Sequence, residues 1–201
     1  QYDQALEVGC GLGYFSYIGA INGNFRHLSC CDTFDALRKE EIRDRVESIE
    51  YRLIKESHLP FPDNSFDIVY SWGVVHHTPD TKKALTEIRR VLKSGGKFCV
   101  MIYNRRSLVG LQLYILYCLM RLKPFISWKE LFAKHHESIG TQAFTRKETE
   151  KLFDMFTDVK IREIVTPYDV RVTRNVFLPN EVTRCIPSRI GFFRVIEGKK
   201  Q

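Results

Sequence analysis

Through the first hundred residues, stretches that read as strand alternate with stretches that read as helix, and this alternation leaves few folds open. Gln4 to Val8 is an apolar run ending in glycines, Tyr14 to Ile21 has helical spacing and stops at Asn22-Gly23-Asn24, and Arg26 to Cys31 returns to strand character. Phe34 to Val46 carries an Ala36, Leu37, Ile42, Val46 stripe among charges, as a surface helix does, and Ile49 to Ile54 alternates as a strand. Asp67 to Ser71 is a short buried strand. In the helix that follows, Thr78 can cap, Pro79 fits the first helical position, and Ala84, Leu85, Ile88, Val91 and Leu92 fall on one face. Ser94-Gly95-Gly96 is the expected stop, and Lys97 to Tyr103 reads as a strand buried on both faces. The pattern is that of a parallel sheet with right-handed crossovers, an α/β, doubly wound fold.

The second half departs from this rhythm. Leu108 to Leu122 is apolar almost all round but shorter than the ~20 residues that a membrane span needs, so a buried, lid or interfacial helix is expected. Thr145-Arg146-Lys147-Glu148 is a capping-box sequence, with Leu152, Phe153 and Phe156 on the face of the helix it opens. Asp158 to Val165 and Phe192 to Glu197 read as strands, and Thr166 to Ile190 as loop with irregular structure. A chain of 201 residues, 44% of them apolar or aromatic, makes one domain over 1–201, with a helical lid insertion at about 104–144. It opens almost directly on a strand, which implies a domain without an N-terminal helix.

The formal charge of +7 is spread in pairs (Arg38-Lys39, Lys82-Lys83, Arg89-Arg90, Arg105-Arg106, Lys199-Lys200), which reads as solvated surface rather than a nucleic-acid face. The six cysteines (Cys10, Cys30, Cys31, Cys99, Cys118, Cys185) form no CxxC and no metal-ligand spacing. A reduced, cytoplasmic protein without a metal site is expected.

The stretch "ALEVGCGLGYF", Ala5 to Phe15, carries the chemistry. A loop after the first strand lies where ligands of parallel sheets bind, and Gly9, Gly11 and Gly13 let a ligand approach the main chain. Nicotinamide and flavin loops have GxGxxG with pyrophosphate on the next helix. Here the spacing is GxGxG, and Glu7 stands two residues before the first glycine. A carboxylate there repels pyrophosphate and suits a cationic ligand.

An acid followed by xGxGxG resembles the first motif of the class I S-adenosylmethionine-dependent methyltransferases. The resemblance extends through "LPFPDNSFDIVYSWGVVHHTPDTKKALTEIRRVLKSGGKFCVMIYN", Leu59 to Asn104, which is similar to the ubiquinone and menaquinone biosynthesis methyltransferase branch. The closing "GFFRVIEGKK" is similar to the last strand of that fold. The resemblance implies a three-layer α/β/α, mostly parallel, seven-stranded Rossmann-like sheet with its last strand antiparallel. It also implies an S-adenosylmethionine cofactor and a small-molecule or lipid-linked acceptor. By the same resemblance Glu7, Gly9, Cys10, Gly11 and Gly13 line the methionine and ribose part of the cofactor, and Asp32 accepts the ribose hydroxyls. A helix N-cap is the alternative for Asp32.

One departure stands out. Lys55 occupies the position where relatives carry an aspartate for the adenine amino group, and Glu56 is the candidate substitute. His76 and His77, at the end of the fourth strand, are the candidate bases, and Trp72 can flank the cofactor. A second pair, His135-His136, can face the acceptor from the lid or sit in a surface turn. The helix at 108–122, flanked by Arg105-Arg106, Arg121, Lys123 and Lys129, is a candidate for contact with an anionic membrane surface. The alternative to an enzyme is an inactive cofactor-binding or regulatory protein on the same scaffold.

Overall fold

The computed structural model describes residues 2–13, 25–33, 49–55, 58–122, 125–173, 176–177 and 180–201. The helices expected at Tyr14 to Ile21 and Phe34 to Val46 lie outside the described residues, as does Glu56. The strands β1 (Tyr2–Val8), β2 (Phe25–Asp32), β3 (Ile49–Leu53) and β4 (Phe66–Trp72) are each within a residue or two of the stretches read from sequence. They are followed by helix α1 (Thr81–Val91) and the long strand β5 (Leu92–Asn104). The insertion holds α2 (Leu108–Tyr114), extended by a π-helical turn over Ile115–Leu119, then α3 (Trp128–His135). The two-residue β6 (Ala143–Phe144), α4 (Arg146–Leu152), β7 (Thr157–Ile164), β8 (Arg171–Thr173), β9 (Val176–Phe177), α5 (Asn180–Arg184) and β10 (Phe193–Lys199) complete the chain.

The main sheet runs β3-β2-β1-β4-β5-β10-β7, with β6 added beside the end of β5. Pairs β1–β2, β2–β3, β1–β4 and β4–β5 are parallel, and β10 is antiparallel to both its neighbours. Strand order reverses between β1 and β4, and the crevice for a ligand therefore opens at their carboxyl ends.

The alternation of β5 explains the layers. Phe98, Val100 and Ile102 face Leu85, Ile88 and Val91 of α1 together with Phe153 and Phe156. Met101 and Tyr103 face the opposite way, onto Val109, Leu113 and Cys118 of the insertion and onto Leu131 and Phe132 of α3. Helices thus cover both faces of a mostly parallel seven-stranded sheet.

Two local expectations shift. The cap of α1 is Asp80, whose carboxylate accepts the Lys83 amide at 3.0 Å. The Thr78 hydroxyl is engaged on the Val75 carbonyl at 2.7 Å, closing the 3-10 turn Val75–His77. Helix α1 ends at Val91, before the glycines, and Gly95 (φ +72°) opens the β5 edge to the backbone of Lys200, at 2.9 Å. The apolar stretch from Leu108 is covered on one side and open on the other, where Leu111, Ile115, Leu116, Leu119 and Met120 are exposed. The capping box at Thr145 forms as expected, the hydroxyl and Glu148 each serving the other's backbone.

Candidate functional site

The glycine loop follows β1 directly. Gly9 and Cys10 both donate to the Cys31 carbonyl, at 2.8 and 3.2 Å, and Gly13 donates to the Cys10 carbonyl at 2.8 Å. These bonds fold the loop back over the end of β2, which takes Gly9 to φ +79°. A Cβ at Gly9 would overlap the side chain of Val74, which packs against the loop from beyond β4. At Gly11 a Cβ would meet nothing, so the backbone there faces open space. The Gly11 amide donates to Asp32 Oδ2 at 2.7 Å, which places the carboxylate that ends β2 on the loop itself.

Glu7 is buried (5% exposed) in β1, opposite Cys30 on one side and Tyr70 on the other. The Cys10 thiol is bonded to the Cys30 thiol and, with burial and the nearby Glu7 and Asp32 carboxylates, its pKa is pushed far up, so it stays a neutral lining group. Two carboxylates and an open glycine backbone fit a ligand that carries positive charge and hydroxyl groups. Trp72, the last residue of β4, is half-buried and stacks on Tyr70 with centroids 5.8 Å apart. The Lys55 carbonyl accepts the His58 amide at 3.1 Å, and the Ile54 amide donates to the Asp32 carbonyl at 2.8 Å. The segment that follows is fixed from α1. Arg90 donates to the carbonyls of Leu59 and Phe61, and Glu87 accepts the Leu59 amide at 2.9 Å.

Beyond Val74 the two adjacent histidines part company. His76 is fully enclosed, its ring tilted against Tyr103 at 3.8 Å and His77 at 4.3 Å, and neither ring nitrogen has a hydrogen-bond partner. Burial, reinforced by His77, lowers its pKa to about 3, so the ring is neutral. His77 is half-buried and held on both sides. Its Nδ1 lies 3.1 Å from the hydroxyls of both Ser138 and Thr141, and its Nε2 lies 3.4 Å from Glu137 Oε2.

Glu137 was not singled out from sequence, yet it gathers the cluster. Tyr103, near the carboxyl end of β5, donates to its Oε2 at 2.7 Å, and Tyr168 donates to its Oε1 at 3.4 Å. Burial alone would raise the Glu137 pKa, but the bonds from His77 and Tyr103 outweigh it and hold the carboxyl at about 2. An ionised carboxylate only accepts, so in the neutral His77 ring the proton sits on Nε2 and the Nδ1 lone pair faces the hydroxyls. The Thr141 hydroxyl can give its own proton to the Ser138 carbonyl, 2.7 Å away. The second histidine pair also divides. His135 stacks on Tyr117 at 4.0 Å, while His136 is buried beside Tyr103 and Phe192. The one sequence signal for Glu137 was its place directly after that pair, ahead of a glycine turn.

A reversed strand order with one antiparallel strand near the far edge, and a glycine loop at the reversal, defines the class I S-adenosylmethionine-dependent methyltransferases. The chain resembles that class, and its residues 6–100 match the family model described as methyltransferase domain. An uncharacterized methyltransferase of Schizosaccharomyces pombe is 38% identical over 107 residues, 48% of this chain and 38% of that protein. A demethylmenaquinone methyltransferase of Bacillus cytotoxicus is 29% identical over 175 residues, 82% of this chain and 73% of that protein. The phosphoethanolamine N-methyltransferase 2 of Haemonchus contortus, solved in complex with S-adenosyl-L-methionine, has a TM-score of 0.66. It is 16% identical and covers 98% of this chain and 48% of that one. Three of the curated relatives are matched over 27–44% of their own length.

Proposed function

We propose that the protein transfers the methyl group of S-adenosylmethionine to a small-molecule or lipid-like acceptor at the carboxyl ends of β4 and β5. The observation that carries this reading is the Gly11–Asp32 bond, which joins an open glycine backbone to a carboxylate at the sheet's reversal point. Glu7, Gly9, Cys10, Gly11 and Gly13 would hold the methionine and ribose part, Asp32 the ribose hydroxyls, and Trp72 one flank. Bound there, the cofactor supplies an electrophilic methyl carbon on a sulfonium, and the protein's part is to align the acceptor and exclude water. Val74, packed on Gly9, stands three residues before His77, so the cofactor loop and the histidine turn are contiguous. His77 can take a proton at Nδ1 while Glu137 holds the opposite edge of the ring. His76, enclosed and neutral, serves by packing under Tyr103 and His77.

Calorimetric titration with S-adenosylhomocysteine, with NAD in a parallel cell, tests the reading. Binding of the first alone is the expected result. Absence of heat with S-adenosylhomocysteine would favour a scaffold without cofactor, a reading that Lys55 at the adenine position already motivates.

The exposed apolar face of α2 and its π turn supports the lipid-like arm of the proposal. Leu116, Leu119 and Met120 are 52%, 51% and 71% exposed, with Arg106, Arg121 and Lys129 exposed nearby in sequence. No helix among the described residues is long and apolar enough to cross a membrane. Such a face would lie along a surface. Cosedimentation with anionic vesicles at low salt is expected, and its absence would leave a soluble acceptor.

A further inference from the structure

The Glu137 carboxylate takes its ionic contact from a histidine, not from a lysine or arginine. In a chain of formal charge +7, the described acidic side chains are commonly paired with lysine or arginine, as Asp67 is with Lys93 and Glu148 with Arg105. Among the described residues, no lysine or arginine forms an ion pair with Glu137. Its ionic contact is the His77 imidazole, and its other donors are two phenols. His76 behind them is neutral and adds no positive charge.

The carboxylate is nonetheless accessible, with 38% of its side chain exposed, and it is presented from a left-handed backbone (φ +46°) that a glutamate rarely adopts. Beside it stands the half-buried ring of Tyr168, 5.8 Å from Phe193 and 5.7 Å from Phe192. A carboxylate with no lysine or arginine partner next to an aromatic wall is an arrangement that binds organic ammonium groups, through charge and through the ring face together.

We propose that Glu137 and Tyr168 form a binding site for an organic cation, and that the acceptor carries an amine or ammonium group held there. The identity of that cation as a methyl acceptor rests on the methyl-transfer reading above. The cation site itself does not. His77 and Tyr103 act as positioning residues for Glu137, and the site binds without any covalent step.

The test uses the full chain, isotopically labelled, titrated with tetramethylammonium chloride and separately with tert-butanol as an uncharged match of similar shape. Sodium chloride at equal ionic strength serves as the blank. Tetramethylammonium is expected to give saturable shifts centred on residues 136–141, with none from tert-butanol. Glu137→Gln, nearly isosteric, is expected to weaken binding about tenfold while leaving the affinity for S-adenosylhomocysteine unchanged. Equal binding of tert-butanol, shifts that do not saturate, or an unchanged affinity in Glu137→Gln would each overturn the proposal. Should Glu137→Gln fail to fold, Tyr168→Leu takes its place, and several-fold weaker binding is then expected. An unchanged affinity in that variant overturns the proposal equally. Loss of S-adenosylhomocysteine binding with the cation site intact would instead retire the methyl-transfer reading alone.

Discussion

Replacing His76 by phenylalanine should flatten the acid limb of the stability curve. The imidazole is enclosed and neutral in the folded chain, with a pKa lowered from 6.5 to about 3, chiefly by burial. Unfolding releases it to water, where it binds a proton below about pH 6.5. A group whose folded pKa is depressed contributes stability that is fully present above the unfolded value and is lost as pH falls toward the folded one. Between pH 8 and pH 5 the unfolded state therefore gains almost one proton that the native state refuses, a loss of about 2 kcal/mol. Glu137, held at about 2, shifts stability in the same direction but in a lower window, below its unfolded value of 4.5, and adds little by pH 5. Urea unfolding of the wild type and of His76→Phe at pH 8, 7, 6 and 5 isolates the term, since every other group is common to both. Phenylalanine keeps the ring contact with Tyr103 and removes two buried nitrogens that lack partners, so folding is retained. The wild type should lose about 2 kcal/mol more than the variant over this range, at equal m-values. Parallel curves would refute the reasoning and mean that His76 reaches water or a partner in the folded protein.

The sheet and the loop carry three further predictions. Gly9→Ala should lower stability by about 2 kcal/mol, from a left-handed Cβ and from overlap with Val74. Val74→Ala should rescue part of that loss in thermal unfolding, and a double variant no better than the single would sink the account. Asp32→Ala, by contrast, should leave most of the stability and weaken S-adenosylhomocysteine binding about tenfold by calorimetry. Arg194 is buried in β10, bonded to Glu163, Asn104, Thr149 and the Phe144 carbonyl. Arg194→Met should cost about 3 kcal/mol in urea unfolding, the low end for a broken buried pair because Arg146 still reaches Glu163 at 3.5 Å. Adding Glu163→Leu should recover most of it.

The scaffold was legible wherever apolar runs decide structure. β1, β2, β4 and β5 are four such runs, and their alternation dictated a parallel sheet before any contact was known. Thr78 misled because two cap-competent residues, Thr78 and Asp80, stand two apart, and only the 3-10 turn at Val75–His77 shows that the threonine is already engaged. The stretch from Leu108 left buried, lid and interfacial placements open because composition cannot say which apolar residues face the core. Half of that surface packs on Tyr103 and Phe192, and the other half is open. The contact between the glycine loop and Asp32 was within reach of the sequence because the two sit at the carboxyl ends of the adjacent parallel strands β1 and β2. Glu137 was not legible, since it meets Tyr103 and Tyr168 across 34 and 31 residues, a separation that no local sequence pattern spans.

That last pairing bears on how the insertion works. Its carboxyl end is tied to the histidine turn by backbone bonds: the Gln142 amide donates to the His76 carbonyl at 3.0 Å, and the Gln142 side chain reaches the Thr78 carbonyl at 2.9 Å. β6 then pairs with the end of β5 through Tyr103 and Asn104. Residues 136–144 are thus held on the sheet's carboxyl edge as firmly as a strand, with Glu137 and Ser138 fixed against His77. The exposed apolar residues lie earlier, on α2 and its π turn. The segment between β5 and α4 therefore divides into an anchored half held against His77 and an outer half with an uncovered apolar face. Opening and closing, if it governs acceptor entry, belongs to the outer half, because moving the anchored half would break the bonds that hold Glu137 in its left-handed conformation.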